Sequence, residues 1–183
     1  KKINLTKIFK SKKDILPINE LNSLKKFNGN INIRYDEKKF KNTFFNKILS
    51  KLILENGEVL IDKSDISFDG GSAKFTGRTS KINSSNKFIF DFLITINDQK
   101  KIKNWIKDKK NKKDIPSSIN LNGNLNLFSN KINIEKIVLN NEFIVPEEDL
   151  IYYSDSYNEI VLKKHYTNFI NLERIKVFLK EIY

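Results

Sequence analysis

The sequence predicts a mainly β protein with a few helices, an α+β chain built on an antiparallel meander. Three observations carry this. Apolar and polar residues alternate with period two over much of the chain, turn residues interrupt that alternation at short intervals, and a few segments switch to helical spacing. Alternation of this kind marks strands with one buried and one wet face, as antiparallel sheets have.

The elements follow in order. NINIRYD places Ile31, Ile33 and Tyr35 on one face and Asn30, Asn32 and Arg34 on the other. From Asp36 to Ile53, Phe40, Phe44, Ile48 and Leu52 recur at steps of four, widened by Phe45 and Leu49, which predicts a first helix. EVLID and DISFD then alternate through Val59 and Ile61, and through Ile66 and Phe68. SAKFTG continues with Ala73 and Phe75 after Asp69, Gly70 and Gly71, where glycine can supply the positive φ of a tight hairpin. KFIFDFLITIN lines one face with Phe88, Phe90, Phe92, Ile94 and Ile96, but also carries Ile89 and Leu93 on the other. It reads as a central strand with partial cover on its second side.

A second helix is predicted after Asn97 or Asp98 as N-cap, burying Ile102, Trp105 and Ile106. The run Lys107–Asp114 is a solvated loop ended by Pro116. SINLNGNLNLF sets Ile119, Leu121, Leu125 and Leu127 against Asn120, Asn122, Asn124 and Asn126. KINIEKIVLN follows with Ile132 and Ile134, then Ile137 and Leu139. Ser84–Asn86 and Ser129–Lys131 suit hairpin connections. A third helix is predicted after Asn171, with Leu172, Ile175, Phe178, Leu179 and Ile182 on one side and Glu173 in its first turn. No long linker divides residues 1–183, so a single domain is expected. No methionine occurs, even at position 1, so the chain is expected to be a piece of a longer protein.

The composition excludes several chemistries. Without cysteine there are no disulfides, thiolate metal sites or cysteine nucleophiles. His165, the one histidine, has no evident partner and nucleophile, and the neighbouring Tyr152, Tyr153, Tyr157 and Tyr166 read as packing aromatics. Glu147, Glu148 and Asp149 follow Pro146 and suit the first turn of a helix or a turn. With Asp155 they lack calcium-loop spacing. Gly70, Gly71 and Gly77 form neither G-x-G-x-x-G nor G-K-[ST], and no G-x-S-x-G occurs. The expectation is a protein that is not an enzyme and takes no cofactor and no metal. The net charge of +12 and pI of 9.6 raise nucleic acid as a partner. Nearly all of the basic residues are Lys, with Arg only at Arg34, Arg78 and Arg174, whereas specific sites favour the planar fork of Arg. That pattern disfavours the reading.

The order of features carries a resemblance. An LNG-type alternating strand, ENGEVLIDKSDISFDGGSAKFTG, a long apolar strand, a short helix after ITINDQ and IPSSINLNGNLNLFSNKINIEKIVLN together resemble the AsmA-like family, and more loosely the bridge-like lipid-transfer proteins. The resemblance spans about residues 28–141. It implies a curved sheet, or half-pipe, whose apolar concave face handles phospholipid or another acyl-chain ligand during transport or outer-membrane assembly. It further implies a periplasmic location in the bacterial envelope, with an inner-membrane anchor upstream of this piece. The positions it carries over are Ile31, Ile33, Val59, Ile61, Ile66, Phe68, Phe75, Phe88, Phe90 and Phe92. The same strands also suit a closed core, covered by the helices of Phe40, Trp105 and Phe178, in a structural or interaction module without lipid. Alternation identifies a buried face and not its cover.

Overall fold

The computed structural model describes residues 28–36, 44–82, 85–106, 114–163 and 172–182. The N-terminal basic segment, Phe40, Ser84, the lysine-rich loop through residue 113, His165, Tyr166 and Asn171 lie outside the described residues. Among the described residues eight strands run β1 (Gly29–Asp36), β2 (Phe45–Glu55), β3 (Glu58–Phe68), β4 (Gly71–Ile82), β5 (Ser85–Ile96), β6 (Ser118–Asn126), β7 (Lys131–Leu139) and β8 (Phe143–Ile144). They form one open antiparallel sheet in sequence order, so every strand pairs with its chain neighbours. Among the described residues three helices accompany it: α1 (Gln99–Ile106), α2 (Glu147–Tyr157) and α3 (Leu172–Ile182). A π-helical turn, Asn158–Leu162, continues α2. The mixed α+β class and the meander agree with the sequence reading.

The helix expected over Asp36–Ile53 is a correction: its described part is strand β2. A step of four residues is one helical turn, but it is also two full alternations of a strand. Ile48 and Leu52 therefore fit both periods. The turn that follows decides between them. Asn56 and Gly57 take φ of 51° and 82°, the left-handed pair of a type I′ hairpin, and Glu55 pairs with Glu58 across it. The strand's even residues, Ile48, Ser50, Leu52 and Leu54, then face the same way as Ile66, Ser64, Ile61 and Val59 opposite them.

The other two predicted helices are present. Asp98 caps α1, its carboxylate accepting the Lys101 backbone N–H at 3.1 Å. Gly70, at φ 98°, offers its carbonyl to the N–H groups of Asn97 and Asp98, which ties the β3–β4 turn to the start of α1. Pro146 stands at the N-cap of α2, and Glu147, Glu148 and Asp149 fill the first turn.

The alternation changes phase within two strands, and each break is a bulge. In β3 the apolar set is odd at Val59 and Ile61 and even at Ile66 and Phe68. The register slips between Ile61 and Ser64. In β7 it is even at Ile132 and Ile134 and odd at Ile137 and Leu139, and the slip lies opposite Asn122 and Gly123. One extra residue restores the apolar set to a single face.

Candidate functional site

Cross-strand partners point to the same side of a sheet, so the register itself assembles the site. Ile31, Ile33 and Tyr35 lie opposite Leu52, Ser50 and Ile48. Those residues lie opposite Ile61, Ser64 and Ile66. Ile61, Ser64 and Ile66 meet Gly77, Phe75 and Ala73, which in turn meet Phe90, Phe92 and Ile94. The line continues through Gly123, Leu121 and Ile119 to Ile134, Ile137 and Leu139. Val59 and Phe88 join through Thr79, which is paired with Phe88 and whose hydroxyl accepts the Val59 N–H at 2.8 Å. All ten positions named from the sequence therefore share one face of the sheet.

Helices roof part of that face. Ile102 and Ile106 of α1 pack with Phe68 and Ala73, and Phe44, Ile66, Phe92 and Leu179 of α3 close around them. Trp105 stacks on Phe44 with ring centres 3.9 Å apart, and Phe44 stacks on Phe68 at 5.0 Å. Leu162, wholly buried, sits on Phe90, Leu125 and Ile132, with Phe75 and Phe88 beside them. Leu150 packs with Ile134, Ile137 and Val145. Phe178 of α3 meets Tyr157 edge-on at 5.1 Å, and Arg174 donates to the Val161 carbonyl at 3.1 Å, so α3 ties the other two helical segments together.

Of the ten positions, Phe68 and Phe90 are buried under this roof, and Ile66, Phe75, Phe88 and Phe92 pack at its margin. Ile31, Ile33, Val59 and Ile61 belong to none of the three buried clusters; Ile31 is 37% exposed. Ile48, Leu52 and Leu54 share this uncovered stretch. Sequence reasoning missed Ile48 and Leu52 because it assigned them to a helix, and it gave Leu54, just beyond that helix, no role. The Asn56-Gly57 pair after them is the hairpin signal that identifies their strand. Besides Thr79, polar side chains interrupt the face at Ser50 and Ser64, which share a hydrogen bond of 2.6 Å near the margin of the roof.

The opposite face carries most of the polar side chains, several of them paired with one another, together with Leu49, Ile53 and Leu60 of β2 and β3. Asn124 donates to Glu135 at 2.6 Å, Asn122 donates to Asp91, and Lys51 bridges Asp62 at 3.1 Å. Ile89 and Leu93 are its half-buried apolar residues on β5.

The two sheet edges differ. β8 covers only Val138 and Leu139 of β7. Beyond them, Asn158 substitutes for a neighbouring strand: its amide oxygen accepts the Ile132 N–H at 2.8 Å and its NH₂ donates to the Ile132 carbonyl at 3.0 Å. Ser154 accepts the Ile134 N–H at 2.9 Å and donates to Leu150 at 2.8 Å. The β7 edge is thus sealed by side chains of the α2 segment. Among the described residues, no strand pairs with the outer edge of β1.

Among the described residues no group of three His, Cys, Asp or Glu side chains is placed to hold a metal ion. A shallow polar cleft of about 350 Å³ lies beside α2, where Lys87, Lys131, Asn126, Ser129 and Asp155 line it. Burial pushes the Tyr157 hydroxyl well above the usual tyrosine range, so it stays neutral. What the uncovered face can do is remove apolar surface from water. Compared with known proteins, the chain has no significant match to a family model, a curated protein or a solved structure.

Proposed function

We propose that this chain is a non-enzymatic, AsmA-like segment that offers an apolar trough of β-sheet to phospholipid or another acyl-chain ligand in the bacterial envelope. The observation that carries the reading is the half-covered face. The register unites the apolar residues of seven strands, and the helices cover only the far part of it. The register slips in β2, β3 and β7 support curvature, because bulges bend strands and increase their twist. A trough roofed at one end and open at the other behaves as the terminal cap of a groove. The open stretch crosses parts of strands β1–β3, which at about 4.8 Å spacing span about 14 Å. One leaflet of a bilayer's hydrocarbon core is about 15 Å thick, so the stretch suits one acyl chain. Each buried CH₂ contributes about 0.8 kcal/mol. The periplasmic location and the upstream membrane anchor belong to the same reading. Among the described residues no helix is long and apolar enough to cross a membrane.

The closed-core module is the second reading, and the three buried clusters beneath the helices favour it. Nucleic acid is weaker. Acidic and basic side chains nearly cancel over the described residues, so the sheet's own elements carry little of the excess positive charge.

The test is lipid extraction of the purified chain followed by mass spectrometry, with photo-crosslinking side chains at Leu52, Ile61 and Phe90. Acyl lipid that crosslinks from Leu52 and Ile61 but not from Phe90 supports the trough. Clean extracts with no adduct at any position leave the closed module as the better reading.

A further inference from the structure

We propose that the polar cleft beside α2 is a binding site for a phosphate ester, held by the ammonium groups of Lys87 and Lys131. The register builds it. Lys87 of β5 lies opposite Asn126 of β6, and Asn126 lies opposite Lys131 of β7. Phe88, Leu125 and Ile132 occupy the apolar face, so the period of two sends this row to the back of the sheet. Two strand spacings set the lysine Cα atoms about 10 Å apart, with the asparagine between them. Ser129 of the following turn and Asp155 of α2 also line the cleft, whose volume of about 350 Å³ falls within the usual range of small-molecule sites, ~300–1,000 Å³.

The donors outnumber the acceptors and are uncommitted. Among the described residues no ion pair engages Lys87, Lys131 or Asp155. Asn126 commits its side-chain oxygen to the N–H groups of Phe128 and Ser129, at 2.9 Å each, which leaves its NH₂ group for a ligand. The wall is fixed, because Asn158 and Ser154 bond the α2 segment to the β7 backbone. Two ammonium groups, an amide NH₂ and a hydroxyl thus line one preorganised space, which suits the several oxygens of a phosphate. Asp155 sets the choice of ester. Its carboxylate repels a bare phosphate dianion and accepts from an ammonium or hydroxyl group on the ester's substituent.

The rim points to the source of the ester. Ile151, which lines the cleft, is 59% exposed, and Phe128, at the adjoining turn, is 84% exposed. Large apolar side chains at the mouth of a cationic cleft suit a lipid headgroup, whose glycerol and acyl portion would meet them, better than a soluble ester. The cleft lies across the sheet from the apolar trough, so the inference holds with or without a ligand there.

The test uses the full chain, titrated with glycerophosphoethanolamine and followed by amide NMR. Shifts are expected to cluster at Lys87, Asn126, Ser129 and Lys131. Lys87→Gln combined with Lys131→Gln is expected to weaken binding about tenfold or more. Lys100→Gln combined with Lys180→Gln, the same charge change placed on α1 and α3, is expected to leave it unchanged. Asp155→Asn is expected to weaken glycerophosphoethanolamine and to strengthen inorganic phosphate. Flotation with vesicles of phosphatidylethanolamine and phosphatidylglycerol separates the sources. If Phe128→Ser lowers flotation but not binding of the soluble ester, the ligand is a lipid headgroup; unchanged flotation assigns the same site to a soluble ester. No shifts at millimolar ester, or shifts scattered over the surface lysines, overturn the inference. So do equal losses in the two paired variants, which reduce the effect to the general attraction of anions by a chain of net charge +12.

Discussion

Leu162→Ala tests whether the helices are a packed roof or a loose appendage. Leu162 is fully buried on the π-helical turn, against Phe90, Leu125 and Ile132, which are themselves only 4–6% exposed. Truncation deletes three carbons. Their transfer alone is worth about 2.4 kcal/mol at ~0.8 kcal/mol each. The floor of the cavity is a hydrogen-bonded sheet that cannot collapse into the space, so a cavity cost adds to this. The expected loss is about 3–4 kcal/mol. For a chain of this length, a kcal/mol corresponds to about 2–4 °C, so the melting temperature is expected to fall by roughly 6–16 °C. Ile61→Ala, on the uncovered stretch and in no buried cluster, is expected to cost about 1 kcal/mol or less. Thermal and urea unfolding followed by circular dichroism measures both. A fall under about 2 °C for Leu162→Ala, or equal falls for the two variants, refutes the division of the face into roofed and open parts.

Two other perturbations follow from the same structure. Asn158→Ala leaves the Ile132 N–H and carbonyl without their partners, so a loss of about 1–3 kcal/mol is expected, with faster amide hydrogen exchange at Ile132 and Ile134; unchanged exchange there contradicts the strand-like role of Asn158. Tyr157 is held neutral by burial, so its folded pKa lies above that of the unfolded chain. Its contribution is complete below pH ~10 and is lost as pH rises beyond that value. In an absorbance titration one tyrosine is expected to ionise only as the chain unfolds, and Tyr157→Phe is expected to flatten the alkaline loss; six tyrosines ionising together near pH ~10 in a native spectrum disprove this.

Much of the sheet was legible because its alternation is strict. NINIRYD, SAKFTG and SINLNGNLNLF became β1, β4 and β6 with their apolar residues on the one shared face. The phase breaks at Val59/Ile61 against Ile66/Phe68, and at Ile132/Ile134 against Ile137/Leu139, were equally visible, and each proved to be a bulge. β2 was not legible from its apolar residues, because Ile48 and Leu52 satisfy helix and strand periods alike. The sealing roles of Asn158 and Ser154 left no local signal. Each bonds to a strand more than 15 residues earlier, and nothing in NEIVL or YYSDSY announces such a partner.

By itself, the sequence determined that one broad apolar face exists, since a period of two puts alternate side chains on opposite sides whatever the surroundings. Only the tertiary structure decided where that face is covered and which edge is closed. Those outcomes depend on helices docking from distant positions in the chain, and a side chain's pattern records that it shuns water, not what shelters it.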